Sequence, residues 1–245
     1  MKLFKAILLI FIFISPLKAN TIYNLIKIPN LEIYEIKTKN KLKYFYADSS
    51  FRLGVGKNIL CLSPNKENLD LKYKKIYKNL SQYSYDYLKK INLKYIVLCE
   101  NLSISGINTA GIPDNVMKTL ILDIKFNPRF FERVIHHEVF HIINDQYKML
   151  FDENEWQEFN DSNFKYAKCS TCTEKLGLNI YKRTNGFLTE YSKSTASEDM
   201  AEVYSHLIYL SPEKISEIRK LDKILNKKIS YIEDKIKKID NIFIF

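Results

Sequence analysis

Residues 137–141 read His-Glu-Val-Phe-His, and no other feature of the chain limits its fold as strongly. They sit in a stretch whose apolar residues Phe130, Phe131, Val134, Ile135, Val139, Ile142 and Ile143 recur at helical spacing. On a helix, positions i and i+4 stand one turn apart on the same face, so His137 and His141 can reach a single ion. Two imidazoles so placed suit a tetrahedral zinc ion, and Glu138 projects beside it, where its carboxylate can act as general base on a zinc-activated water. Of the four histidines in the chain, three lie in this one segment, which weighs against a chance match. His136 points off the ligand face, toward the surroundings of the site or the surface. The plainer reading is a helix with two hydrogen-bonded histidines.

A hydrolytic zinc site keeps three protein ligands and an open fourth position. A third histidine at short spacing is missing: the one left is His206, and no Gly-x-x-His follows His141. Glu198-Asp199-Met200-Ala201-Glu202 supplies carboxylates instead. Glu198 and Glu202 share a face at i, i+4 of an expected helix. The first can bind the metal, and the second can accept the N–H of a ligating histidine and fix its tautomer. Small Ala201 allows the two helices to approach closely. An acidic helix start favoured by the helix dipole is the competing explanation.

These two segments together resemble the gluzincin metallopeptidases. Gly186-Phe187-Leu188-Thr189-Glu190-Tyr191 followed by Glu198 to Glu202 is similar to the lethal-factor and Pro-Pro-endopeptidase branch, with a Tyr seven residues before the Glu. The resemblance covers residues 137–141 and about 186–207. It implies His137, His141 and Glu198 as ligands of one zinc ion, Glu138 as general base and Tyr191 as oxyanion donor. A phenol O–H near a metal can stabilise a tetrahedral oxyanion, although in a chain with 17 tyrosines Tyr191 as simple packing is a rival. Residues 142–185 match nothing in that branch, so substrate preference is not carried over.

The remaining pattern predicts one or two strands within 23–46, a strand at 58–62 and a helix over 68–91. A buried strand follows at 93–98, a loop marked by Gly106 and by Gly111-Ile112-Pro113-Asp114, and a strand at 119–124. Asn127-Pro128 signals the start of the histidine helix. Residues 151–185 read as irregular. Ser197 is the expected N-cap of a helix over 198–210, Ser211-Pro212-Glu213 opens another, and helix continues to about 239. The apolar end, residues 242–245, is expected to pack on the body. This order gives an α+β class with a zincin-like arrangement: a small mixed sheet over the HExxH helix, then a mostly helical part over 142–245. Sites that resemble zincins commonly bind peptide as an added strand. The 119–124 strand is the candidate for that pairing, with an interior position as the alternative.

Residues 1–19 have the layout of a signal peptide: Lys2 and Lys5, an apolar run over 6–14, Pro16, and Ala19 at the expected cut. An uncleaved anchor is the alternative. The expectation is export to a periplasm or the exterior, a single domain over 20–245, and no stable membrane insertion after cleavage. At 46% hydrophobic the chain can bury a sizeable core. Its +10 net charge is spread among scattered lysines, with no compact basic-aromatic patch, so nucleic acid is not an expected partner. The four cysteines, in an exported chain, suggest pairing, most simply Cys61 with Cys99 and Cys169 with Cys172. The expected activity is zinc-dependent hydrolysis of peptide or protein substrates. A non-catalytic zinc-binding envelope protein and an amidase acting on peptidoglycan cross-links stand as alternatives.

Overall fold

A computed structural model of the chain describes residues 31–171, 177–243 and 245. The expected signal segment and Cys172 lie outside the described residues. The elements are β1 (Leu31–Glu35), β2 (Lys43–Ala47), β3 (Phe51–Leu53), β4 (Ile59–Leu62), α1 (Lys66–Leu80), α2 (Tyr85–Lys90), β5 (Tyr95–Ile104), β6 (Ile107–Asn108), β7 (Gly111–Asp114), β8 (Thr119–Asp123), α3 (Phe131–Gln146), α4 (Glu153–Gln157), α5 (Ala196–Tyr209), α6 (Pro212–Leu221) and α7 (Lys223–Ile239). This is a mixed α+β fold with a curled sheet and several helices.

The sheet curls about β5, whose 10 residues serve two sets of neighbours. Its first half pairs in parallel with β2 on one side and β8 on the other, as in Val97 opposite Phe45 and Ile121. Its second half pairs antiparallel with β4 and β6. Alternate residues of β5 and β8 enter two cores. Ile96, Leu98, Leu120 and Leu122 join the main core with the helices, while Val97, Cys99 and Ile121 join a smaller one on the other face. Burial on both faces explains why these strands read as continuous apolar runs. A disulfide joins Cys61 of β4 to Cys99 of β5 within the smaller core. Cys169 is also disulfide-bonded.

Several boundaries differ from expectation for local reasons. The helix over 68–91 is two helices, because the Ser84 side chain accepts from Tyr87 N at 3.1 Å and starts α2 afresh. Asn127 and Pro128 form a turn before α3: the Asn127 side chain accepts from Arg129 N at 3.0 Å, and the helix begins at Phe131. Thr195, not Ser197, caps α5 by accepting from Glu198 N at 3.2 Å. The helix expected to run from Ser211 to about 239 is broken at Asp222, which caps α7. Residues 111–114, read as a loop, form strand β7. That strand changes the role available to 119–124. β8 has β5 on one side and β7 on the other, so it is an interior strand, and the free side belongs to β7, which pairs only with β8 among the described residues. Phe243 and Phe245 pack on the core, Phe243 stacking on Tyr87 at 4.5 Å. Among the described residues no helix is long and apolar enough to cross a membrane.

Candidate metal centre

The amphipathic pattern of α3 buries the helix against the sheet and α5, leaving His137, Glu138 and His141 along the floor of an open cleft. α5 lies alongside with Glu198 in its first turn. Glu198 Oε2 lies 2.9 Å from His137 Nε2 and 3.1 Å from His141 Nε2, and the two Nε2 atoms are 3.2 Å apart. Zinc bonds of roughly 2.0–2.1 Å at tetrahedral angles place donor atoms about 3.3 Å apart, so this triangle fits one such ion. Among the described residues these three form the one His/Cys/Asp/Glu group that could hold a metal.

The surroundings orient the donors. Glu202 Oε1 lies 3.0 Å from His137 Nδ1, which leaves Nε2 free to face the cluster. Glu202 is itself held: Arg133 donates to Oε1, and Thr189 Oγ1 donates to Oε2 at 2.7 Å. Arg133 also donates to the Leu178 carbonyl at 3.1 Å. His141 has a lighter support, Ser197 Oγ at 3.5 Å from Nδ1, and Ser197 accepts from Asn144 Nδ2 at 3.2 Å. Ser197 therefore faces the site instead of capping its helix. His136 is not at the surface: it is buried, 2.7 Å from the Tyr83 hydroxyl and 3.0 Å from Asn79 Oδ1. His206 is also buried, with Nδ1 2.7 Å from the Glu202 carbonyl.

Electrostatics follow from this packing. Burial opposes protonation of His137, but the Glu198 and Glu202 carboxylates outweigh it and push the imidazole up to about 10. The two carboxylates that face His137 give this pocket negative charge, which suits a cation. Burial acts to raise Glu198, yet the two imidazoles beside it draw its carboxyl well below the usual range. Burial raises Glu138, with partial opposition from the same imidazoles. Burial, then the charges of Glu198 and Glu138, keep Tyr191 a protonated phenol, and its ring centroid lies 5.8 Å from that of His137. Burial pushes His136 down to about 3 and His206 down to about 4, so both are neutral, polar packing groups.

Two cavities meet at the cluster. One, about 850 Å³, is bordered by Pro113, Asn144, Lys148 and Phe151. The other, about 490 Å³, is bordered by Ile107, Asn108, Phe126 and Leu178, and Ile104 lines both. Both reach His137, Glu138 and Tyr191. The sequence-expected residues His137, Glu138, His141, Tyr191, Glu198 and Glu202 are thus brought together. Arg133, Thr189 and Ser197 join them without having been expected at the site. For Arg133 a signal existed: it sits four residues before His137, on the same helix face as both histidines.

Residues 76–242 match the sequence model of the family described as "Putative zinc-binding metallo-peptidase". No curated protein matches. Among solved structures, a protein of Bacteroides caccae described in the same words is 22% identical over 73% of each chain, with a TM-score of 0.49.

Proposed function

We propose that this chain, which belongs to the zinc-binding metallo-peptidase family whose model it matches over residues 76–242, is an exported gluzincin-type peptidase that binds one zinc ion through His137, His141 and Glu198. The observation that carries the reading is the triangle of donor atoms at 2.9–3.2 Å in an open cleft, with Glu138 beside it. A zinc ion held there supplies Lewis acidity, lowering the pKa of a water toward about 7 and polarising the scissile carbonyl.

The chain's own residues do the rest. Glu138 takes the proton from the attacking water and passes it to the leaving amine. Tyr191, a protonated phenol, donates a hydrogen bond to the oxyanion as the carbonyl becomes tetrahedral. Glu202 holds the proton on Nδ1 of His137 and so fixes the tautomer that leaves Nε2 a donor to the metal. The substrate backbone lies along β7, which pairs only with β8 among the described residues and whose Gly111 and Pro113 border the cleft. The domain comprises residues 20–245 after removal of 1–19, in a zincin-like arrangement whose part beyond residue 142 is helical and irregular. The Cys61–Cys99 disulfide supports an oxidising destination.

Metal analysis paired with a peptide library tests this. The expected result is one zinc per chain and peptide cleavage that a chelator abolishes and added zinc restores. Bound zinc with no cleavage of peptides or cell-wall cross-links would make the chain a non-catalytic binder and overturn the proposal. Ser197→Ala removes the group beside His141 Nδ1 and is expected to weaken zinc binding by about tenfold, read by competition with a chromogenic chelator. Unchanged affinity would show that Ser197 does not orient His141.

A further inference from the structure

We propose that Gly111 is a positioning residue for Glu138: its missing side chain is the space in which the arm of the general base lies. The inference rests on the reading of Glu138 as base. Gly111 and Pro113 of β7 border the cleft, while Ile112 between them enters the smaller core. A Cβ at residue 111 would stand 2.7 Å from Glu138 Cγ and 2.9 Å from Cδ, closer than real Cβ contacts allow. It would also stand 3.1 Å from the Ile121 carbonyl of the adjacent strand, so the backbone cannot simply back away. The atoms it would strike are the middle of the Glu138 arm, not a free tip. Glu138 is 8% exposed and lines the cleft, so relief of the clash would displace its carboxylate from the position it holds against β7.

The consequence is mechanical. The wall against which the base rests is the backbone of the strand that borders the cleft through Gly111 and Pro113 and pairs only with β8 among the described residues. A substrate paired to β7 and the carboxylate that serves it are therefore registered to one another through a single residue. Any side chain at 111 would move the carboxylate off its line to the attacking water while leaving His137, His141 and Glu198 in place.

The test is Gly111→Ala, alone and with Glu138→Ala. In the zinc-loaded protein, kcat is expected to fall about 100-fold, the size of effect a misplacement of about 1 Å produces, with zinc content unchanged. KM should stay within about threefold, because substrate pairing along β7 is retained. A rise in KM at constant kcat would instead assign Gly111 to substrate binding and overturn the proposal. The zinc-free proteins give a readout independent of catalysis. Gly111→Ala should lower the melting temperature by about 3 °C or more when Glu138 is present, and by much less in Glu138→Ala, where the struck atoms are gone. An equal loss in both backgrounds would mean that the sheet, not the base, excludes the methyl group. If the unaltered protein cleaves nothing, the base reading fails separately, and this thermal cycle still decides the contact.

Discussion

Glu138→Gln is expected to retain one zinc per chain and lose hydrolysis by about 10³-fold in kcat, within the range that removal of a general acid–base group produces. The amide keeps the size of the side chain, so the arm still fits against Gly111. It cannot accept the proton of the attacking water or carry it to the leaving amine. The donor triangle is formed by His137, His141 and Glu198 without Glu138, so metal content should not change. Burial raises the Glu138 carboxyl, which strengthens its conjugate base and suits it to proton transfer nearer neutrality. Metal analysis and steady-state kinetics on one peptide check both halves. A variant that binds zinc and keeps full activity would remove Glu138 from the mechanism. A variant that loses zinc would show Glu138 to be part of the metal's support.

The residues of the candidate site were legible because their chemistry imposes spacing. Two imidazoles four apart, then two carboxylates four apart on a later helix, can be read from one strand of text. What was hidden depends on partners distant in sequence. β7 reads as a loop because Gly111 and Pro113 are turn residues, yet pairing with Leu122 and Leu120 makes them a strand. The same pairing turned 119–124 from a candidate edge into an interior strand. His136 could be placed off the ligand face, but its partners Asn79 and Tyr83 lie 57 and 53 residues away, and nothing local announces them. The Thr195 cap does have a local signature: Thr-Ala-Ser-Glu at 195–198 has the spacing of a capping box, although Glu198 is turned to the histidines instead of back to the cap.

The residue after Glu198 in α5 is half of a buried ion pair. Asp199 and Lys228 are both 0% exposed, with Lys228 Nζ 2.6 Å from Asp199 Oδ2. The same oxygen accepts from Trp156 Nε1 at 2.9 Å and Tyr166 at 2.6 Å, and Lys228 also donates to the Gly186 carbonyl at 2.8 Å. This hub ties α7, the 156–166 segment and the strand-free segment before Tyr191 to the helix that carries Glu198. Burial raises Asp199 and lowers Lys228, and the charge of each opposes the shift of the other. Lys228→Met keeps most of the volume and leaves a buried carboxylate unpaired, and is expected to cost about 3–5 kcal/mol by chemical denaturation. Adding Asp199→Asn removes the orphaned charge while the amide oxygen still accepts from Trp156 and Tyr166. The double variant should therefore recover a large part of the loss, and show less than the sum of the single costs. Strict additivity would mean that the two side chains are energetically independent despite their contact. Because Asp199 follows Glu198 in α5, Lys228→Met should also weaken zinc binding, and the double variant should restore it in step with stability.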